Sequence, residues 1–225
     1  METGYCLEKN LIDKSEILDI RHKIQSIFKN LECGSEPDMM RLFRDDFDAF
    51  IGCASLCQKL PEIYKLAGSL NDAVCRSGID FPVLNTKPIL AFSSKHTAKS
   101  EAYYRLGAHQ DWASNLGSTN GVTCWIPLQD VDDDLGPLEV VPNSHLLGPL
   151  EHSGTPPLLV DNTGLNFISV PMALGDALFF NTMLVHRSGH NVTDDRIRIS
   201  LHFRFNDANE PTFIQRKYPR NRTGD

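Results

Sequence analysis

The sequence lacks the features that mark membrane, secreted and nucleic-acid-binding proteins. No apolar stretch approaches the roughly 20 residues that a membrane span needs. The N-terminus has no basic start followed by an apolar run, so no secretory signal is expected. Its 22 basic residues stand against 29 acidic ones, for a formal charge of −7, which argues against a nucleic acid partner because such proteins usually carry a basic surface. We therefore expect a cytoplasmic protein whose partners include neither membrane nor nucleic acid.

The cysteines, too, lack the spacing of redox and metal-binding motifs. The six cysteines form no CxxC pair, so reduced thiols are expected. The remaining composition is ordinary, with 41% hydrophobic and 23% charged residues in a chain of 225. This length and composition predict a single domain over residues 1–225, as a monomer or a homodimer.

The first third of the chain has the apolar spacing of helices. Candidate helices cover residues 13–30, 37–59 and 61–75. Asp13 and Glu16 resemble a capping box at the start of the first one. We predict a helical N-terminal part, residues 1–80, that packs on the rest of the domain.

After about residue 80, short β-rich runs alternate with turn residues. They are residues 88–92, 103–108, 122–128, 138–141, 167–170, 177–181 and 197–205. Many short strands at this spacing favour a sandwich or a barrel. The predicted fold is mainly β with N-terminal helices, and residues 81–215 form its core.

Two histidines and one aspartate have a spacing that suits a non-haem Fe(II) site. His109 and Asp111 lie two apart in a predicted strand, so their side chains would share one face. His186 follows 75 residues after Asp111 and would complete the set from another strand. Two histidines and one carboxylate occupy one face of the iron and leave the other positions open. These three residues are the predicted metal ligands and catalytic centre.

Five motifs around these residues occur in a family-specific order. They are the HxD at His109, the G-P-L-E-V-V-P-N-S-H of residues 136–145, the G-D-A-L-F-F of residues 175–180, the H-R-S-G at His186, and an arginine further on. Through them the sequence resembles the phytanoyl-CoA dioxygenase family of Fe(II)/2-oxoglutarate oxygenases, across residues 107–205. The resemblance implies a double-stranded β-helix (a jelly-roll, cupin-like barrel) in residues 81–215 that carries the iron, and it says little about residues 1–80.

The resemblance also implies which residues bind 2-oxoglutarate. Arg196 falls on the arginine that binds its distal carboxylate, and Ser188 falls on a hydroxyl that assists it. Arg198 competes for the same role because it shares a strand face with Arg196, although the offset from the distal histidine favours Arg196. Trp125 and Gln110 fall where the family often lines the cosubstrate pocket, and for Trp125 a place in the barrel core is nearly as well supported.

The implied cofactor is Fe(II), and the implied cosubstrates are 2-oxoglutarate and O2. Succinate and CO2 would be released while a small molecule is oxidised. Asp111 favours hydroxylation over halogenation, because halogenating relatives replace this carboxylate with a small residue so that halide can bind iron. Desaturation, epoxidation and ring chemistry stay open. The acidic chain has no basic patch for the phosphates of a CoA thioester outside its tail, so a small polar metabolite is the favoured substrate.

Other functions are open to the same residues. A cupin-type metalloenzyme would use the iron without 2-oxoglutarate, and succinate formation discriminates between the two. A non-catalytic binding or sensing module would keep the fold and lose ligands, whereas all three ligands are present. Among nearby residues, Trp112 is a candidate for the substrate mouth and equally for the core, and residues 103–105 are candidates for facing the substrate. His190 and His202 are expected to be packing or surface residues.

Overall fold

The computed structural model describes residues 1–97, 106–153 and 159–219. Its N-terminal helices are α1 (Lys14–Lys29), α2 (Glu36–Asp45), α3 (Phe47–Cys57), α4 (Pro61–Ser69) and α5 (Asn71–Arg76). Two short helices, α6 (Asp111–Asn115) and α7 (Pro211–Gln215), come later. None of the helices in these ranges is long and apolar enough to cross a membrane.

Aspartate side chains decide where two of the helices begin. Asp13 accepts a hydrogen bond from the Ser15 backbone N–H at 2.8 Å, and α1 begins at the next residue. The single helix predicted over residues 37–59 is wrong, because Asp46 leaves the helical conformation (φ −144°, ψ 82°) and caps α3 through the Ala49 N–H. Aspartate competes for backbone donors in this way, so it favours helix starts over helix interiors.

The strands confirm the predicted class, mainly β with N-terminal helices. They are β1 (Tyr5–Glu8), β2 (Pro82–Leu84), β3 (Ile89–Ser93), β4 (Val122–Pro127), β5 (Leu138–Val140), β6 (His152–Ser153), β7 (Leu159–Val160), β8 (Ile168–Val170), β9 (Ala177–Asn181), β10 (His186–Ser188) and β11 (Arg198–Asp207). One antiparallel sheet runs β1-β9-β4-β11-β2, with β3 also paired to β11. A second sheet runs β10-β5-β8, and β6 pairs with β7. Of the predicted run at 103–108, residues 103–105 lie outside the described residues, and residues 106–108 form no strand.

Strand β1 interrupts the part of the chain that was predicted to be helical. It pairs antiparallel with β9, so that Tyr5 lies opposite Phe180. Its partner β9 is far away in the chain, and four residues are too few for a periodic pattern that would predict the strand. The division of the domain at residue 80 stays a prediction.

Strand β11 separates the apolar core from the metal centre. The residues on its first face belong to the same buried cluster as apolar side chains of α1 to α5; they are Ile199, Leu201, Phe203 and Phe205. The alternate residues point to the opposite face; they are Arg198, Ser200, His202 and Arg204. One strand thus joins the helical layer to a polar interior.

Candidate metal centre

His109, Asp111 and His186 converge on one buried point. Their candidate ligand atoms all lie within 4.8 Å of one another. His109 and His186 form an isolated antiparallel bridge, in which each backbone N–H donates to the other's carbonyl at 3.0 and 3.1 Å. The bridge brings the two ring centroids to 4.2 Å. Backbone pairing between distant segments therefore assembles the two histidines of the site.

Asp111 reaches the site in a different way from the one predicted. The expectation that a regular strand carries both His109 and Asp111 is wrong, because Asp111 is the first residue of α6 and Gln110 before it is the last extended residue. The Trp112 N–H, in the first turn of α6, donates to the Thr182 carbonyl at 2.9 Å. The carboxylate still faces the histidine, with 3.8 Å between Asp111 Oδ1 and His109 Nε2.

Backbone carbonyls orient both imidazole rings. The Nδ1 atoms of His109 and His186 lie 2.8 and 3.0 Å from the carbonyl oxygens of Gly107 and Leu184. A carbonyl oxygen only accepts, so each Nδ1 carries the hydrogen and each Nε2 keeps a free lone pair. Burial lowers the pKa of His109 to about 3 and lowers that of His186. Both rings are therefore neutral near pH 7, as metal binding requires.

The Asp111 carboxylate is held on both oxygens. Thr123 Oγ1 donates to Oδ2 at 2.6 Å, and Arg204 Nη2 lies 2.5 Å from Oδ1. Burial alone would raise the pKa of Asp111, but the Arg204 guanidinium and the neighbouring histidines hold that pKa well below its usual range. The donor set is thus one carboxylate anion and two neutral imidazoles, which fits a divalent ion such as Fe(II).

Arg198 lies inside the molecule, next to the centre. It is 3% exposed, and its guanidinium lies 5.7 Å from the Trp125 ring centroid. Nη1 donates to the Gly136 carbonyl, and Nη2 lies 3.3 Å from Ser188 Oγ. Nε is buried without a hydrogen-bond partner, and no acidic side chain of the described residues forms an ion pair with Arg198. Burial lowers its pKa to about 10, so the group still carries its charge near pH 7.

Arg196 lies on the outside of the molecule. Its side chain is 39% exposed, and Nη1 and Nη2 lie 3.0 and 3.1 Å from the two carboxylate oxygens of Asp132. The prediction that Arg196 and Arg198 share a strand face is wrong, because β11 begins at Arg198 and the alternation does not extend upstream. Arg198, the competing candidate, is the arginine beside Ser188 and Trp125.

Trp125 and Gln110 occupy different kinds of position. Trp125 is fully buried in a second apolar cluster, yet its Nε1 has no hydrogen-bond partner. The Gln110 amide makes three backbone hydrogen bonds: Nε2 donates to the carbonyls of Gly148 and Met183 at 2.9 and 2.6 Å, and Oε1 accepts from Leu150 at 2.9 Å. Gln110 thereby fixes the backbone between His109 and Asp111 to the loop at residues 148–150 and to Met183. Its predicted contact with the cosubstrate stays a prediction.

Two residues beside the centre were not singled out from the sequence. Thr123 and Arg204 hold the two oxygens of Asp111 and lie opposite each other in the β4–β11 register. The sequence did contain a signal for Arg204: it lies six residues after Arg198 in the predicted strand, so strand alternation places both side chains on the same face. His202, expected to be a packing or surface residue, is on the same face, and burial lowers its pKa to about 3.

Of the residues predicted at the substrate mouth, the structure describes Trp112. Trp112 Nε1 donates to the Gly117 carbonyl at 3.1 Å, and the Arg216 guanidinium lies 5.7 Å from a ring centroid of Trp112. These contacts anchor Trp112 locally. Residues 103–105 lie outside the described residues.

The fold and the centre together define a class: antiparallel β-proteins with a buried two-histidine, one-carboxylate metal site. Comparison with known proteins then identifies the family. The sequence pattern of the family described as phytanoyl-CoA dioxygenase (PhyH) matches residues 1–200. The chain belongs to the phytanoyl-CoA dioxygenase family, which confirms the resemblance. The family match and the three candidate ligands support the predicted class, an oxidoreductase that depends on non-haem iron, 2-oxoglutarate and O2.

Individual relatives are distant. The peroxisomal phytanoyl-CoA dioxygenase of Bos taurus is 25% identical over 245 residues, covering 92% of this chain and 66% of that protein. The chain thus spans just under two thirds of that relative's length. Among solved structures, the non-haem alpha-ketoglutarate-dependent carbocyclase SnoK from nogalamycin biosynthesis has a TM-score of 0.65 at 18% identity, covering 92% of this chain and 81% of its own. The epimerase SnoN, solved with Fe3+ and alpha-ketoglutarate (another name for 2-oxoglutarate), has a TM-score of 0.59 at 21% identity, covering 92% and 80%.

Proposed function

We propose that the protein is an Fe(II)/2-oxoglutarate-dependent dioxygenase that hydroxylates a small-molecule metabolite. The observation that carries the proposal is Arg198, a buried guanidinium without an acidic partner among the described residues. An unpaired buried charge is costly, so a site that keeps one is suited to binding an anion. The distal carboxylate of 2-oxoglutarate is such an anion.

The protein groups divide the binding work. His109, Asp111 and His186 would hold the iron, and each histidine is already oriented by a backbone carbonyl. Arg198 would pair bidentately with the distal carboxylate of 2-oxoglutarate, assisted by Ser188. The role first assigned to Arg196 thereby passes to Arg198. When bound, the iron with 2-oxoglutarate and O2 would supply the oxidising chemistry: one oxygen atom of O2 would enter succinate, with loss of CO2, and the other would convert a C–H group of the substrate into C–OH.

The surrounding residues favour this reaction over its alternatives. Asp111 occupies the position that would have to be small for a halide to bind, so hydroxylation is proposed over halogenation. Burial of the ligands excludes bulk water, which strengthens the electrostatic contacts inside. We also infer that the two larger sheets form the facing halves of a double-stranded β-helix. A small-molecule substrate is proposed because SnoK and SnoN are enzymes of nogalamycin biosynthesis.

Two measurements test the proposal. Calorimetry on the Mn(II)-loaded protein should show 2-oxoglutarate binding at micromolar to low millimolar concentration. A screen with Fe(II), 2-oxoglutarate and a metabolite panel should show succinate release that one class of compound stimulates. No binding of 2-oxoglutarate at millimolar concentration would refute the proposal. In that case a metal-dependent reaction without succinate would identify a cupin-type enzyme of another kind.

A further inference from the structure

Arg204 is a second arginine at the metal centre, where it contacts the candidate ligand Asp111. It shares a strand face with Arg198, six residues further along β11, so the two lie about 20 Å apart along the strand. Arg204 is the one that contacts a metal ligand, through the 2.5 Å approach to Asp111 Oδ1. The two guanidiniums therefore approach the centre from opposite ends of the same row of side chains.

The Arg204 guanidinium has donors to spare. An arginine has five N–H groups in a planar fork. Of the described acidic side chains, Asp111 is the one in contact with Arg204, and it is met by Nη2. The Arg204 Nε is buried without a hydrogen-bond partner. The guanidinium therefore has at least one donor, Nε, that the described residues leave unsatisfied.

The charges of the loaded site do not balance. Iron would contribute two positive charges, and Arg198 and Arg204 one each, whereas Asp111 contributes one negative charge and 2-oxoglutarate two. The histidine ligands would be neutral, because each carries its hydrogen on Nδ1 and would offer the lone pair of Nε2 to the metal. One positive charge is left without a partner in a buried site, where it is costly.

We propose that Arg204 recognises a monoanionic group of the prime substrate, in its simplest form a carboxylate. This inference rests on the proposed function, because the charge balance includes iron and 2-oxoglutarate. An anion on Arg204 would lie next to Asp111, so the carbon to be oxidised lies close to the substrate's carboxylate. The substrate class is therefore a small carboxylic acid, within the small polar metabolites that the acidic composition favours.

The experiment compares carboxylates with their neutral amides on the Co(II)-loaded protein, with and without 2-oxoglutarate. Acetate and acetamide, and benzoate and benzamide, serve as probes, and binding is followed by calorimetry and by the visible spectrum of Co(II). We expect each carboxylate to bind about tenfold or more tightly than its amide. Arg204→Met should remove this preference, and Arg204→Lys should retain part of it. Arg187→Met is the matched control, because Arg187 is also a partly buried, ion-paired arginine, next to His186 in the chain.

The outcomes separate the two proposals. If the Co(II) protein binds no 2-oxoglutarate, the proposed function fails whatever Arg204 does. If it binds 2-oxoglutarate but treats acids and amides alike, the role of Arg204 in substrate recognition is wrong and the proposed function stands. A preference that survives in Arg204→Met would also overturn the inference, because the carboxylates would then bind to the metal or to Arg198. If Arg204→Met does not fold, Arg204→Lys and the comparison of acid with amide on the wild type decide.

Discussion

The two faces of β11 are built to opposite rules. The face toward the helices carries Ile199, Leu201, Phe203 and Phe205, all in one apolar cluster with α1 to α5. The face toward the metal centre carries Arg198, Ser200, His202 and Arg204, all polar and largely buried. The first face stabilises the fold by burying apolar area. The second contains buried polar atoms without partners, among them the Nε atoms of both arginines, and such atoms lower stability.

The difference indicates where ligands act. A fold tolerates unpartnered buried polar groups where they serve function, and offsets their cost elsewhere. Strand alternation brings both environments onto the same ten residues, because successive side chains point to opposite faces. Substitutions on one face should therefore change stability, and substitutions on the other should change ligand binding.

The largest effect is expected at the metal itself. His186→Ala should abolish binding of Mn(II) or Co(II), since even residues that only orient a metal ligand contribute about 10–100-fold to affinity. The protein should remain folded, because the helix-facing core is untouched. Calorimetry measures the affinity, and far-UV circular dichroism checks the fold. An unchanged affinity would remove His186 from the centre.

The next effect is on stability alone. Phe203 is fully buried among the helices, so Phe203→Ala should lower the unfolding free energy by about 3–5 kcal/mol. Its metal affinity, measured below the unfolding transition, should match that of the wild type. Ser200→Ala, three residues earlier in β11 and on the other face, is the control and should lose far less stability. A loss of metal affinity in folded Phe203→Ala would show that the two faces are not independent.

The third effect separates the two arginines. Arg198→Lys should weaken 2-oxoglutarate binding roughly thirtyfold or more, because loss of a buried charge partner costs about 2–5 kcal/mol. Arg196→Lys should change the affinity for 2-oxoglutarate little, because Arg196 lies on the surface and pairs with Asp132. It should also change stability little, since an exposed pair contributes about 0–1 kcal/mol. Calorimetry on the Mn(II) forms measures both affinities. The reverse ranking would return the anchor to Arg196.

The smallest effect is the pH dependence of the metal-free protein. Burial lowers the pKa of His109 and of His202 to about 3, below the value of about 6.5 in an unfolded chain. Below pH 6.5 these histidines bind protons in the unfolded chain but not in the native protein. Their contribution to the unfolding free energy is therefore fully present above pH 6.5 and falls as the pH drops toward 3. Each such histidine contributes up to about 1.4 kcal/mol per pH unit. Urea unfolding at pH 6.5 and 5 should show the fall, and His202→Asn should show a shallower one; equal slopes would contradict the burial of His202.

Local patterns predicted much of the fold. Periodicity placed α1 and the strands β4, β9 and β11 within a few residues of where they lie, because both elements bury one face and repeat at their own period. The helices predicted at residues 37–59 and 61–75 are each two helices. A single residue, Asp46 or Leu70, separates the two helices in each case, so the apolar spacing is almost unchanged.

The sequence by itself determined the family and the set of candidate metal ligands. The spacing of His109, Asp111 and His186, with the motifs between them, was enough to predict the metal ligands and the family. Only the tertiary structure decided which arginine lies inside. Arg196 and Arg198 are two residues apart, so strand alternation alone would place both on one face, but β11 begins only at Arg198. The tertiary structure also brought Thr123 and Arg204 to the oxygens of Asp111. Those contacts depend on the register between distant strands, which long-range hydrogen bonding sets and no local pattern records.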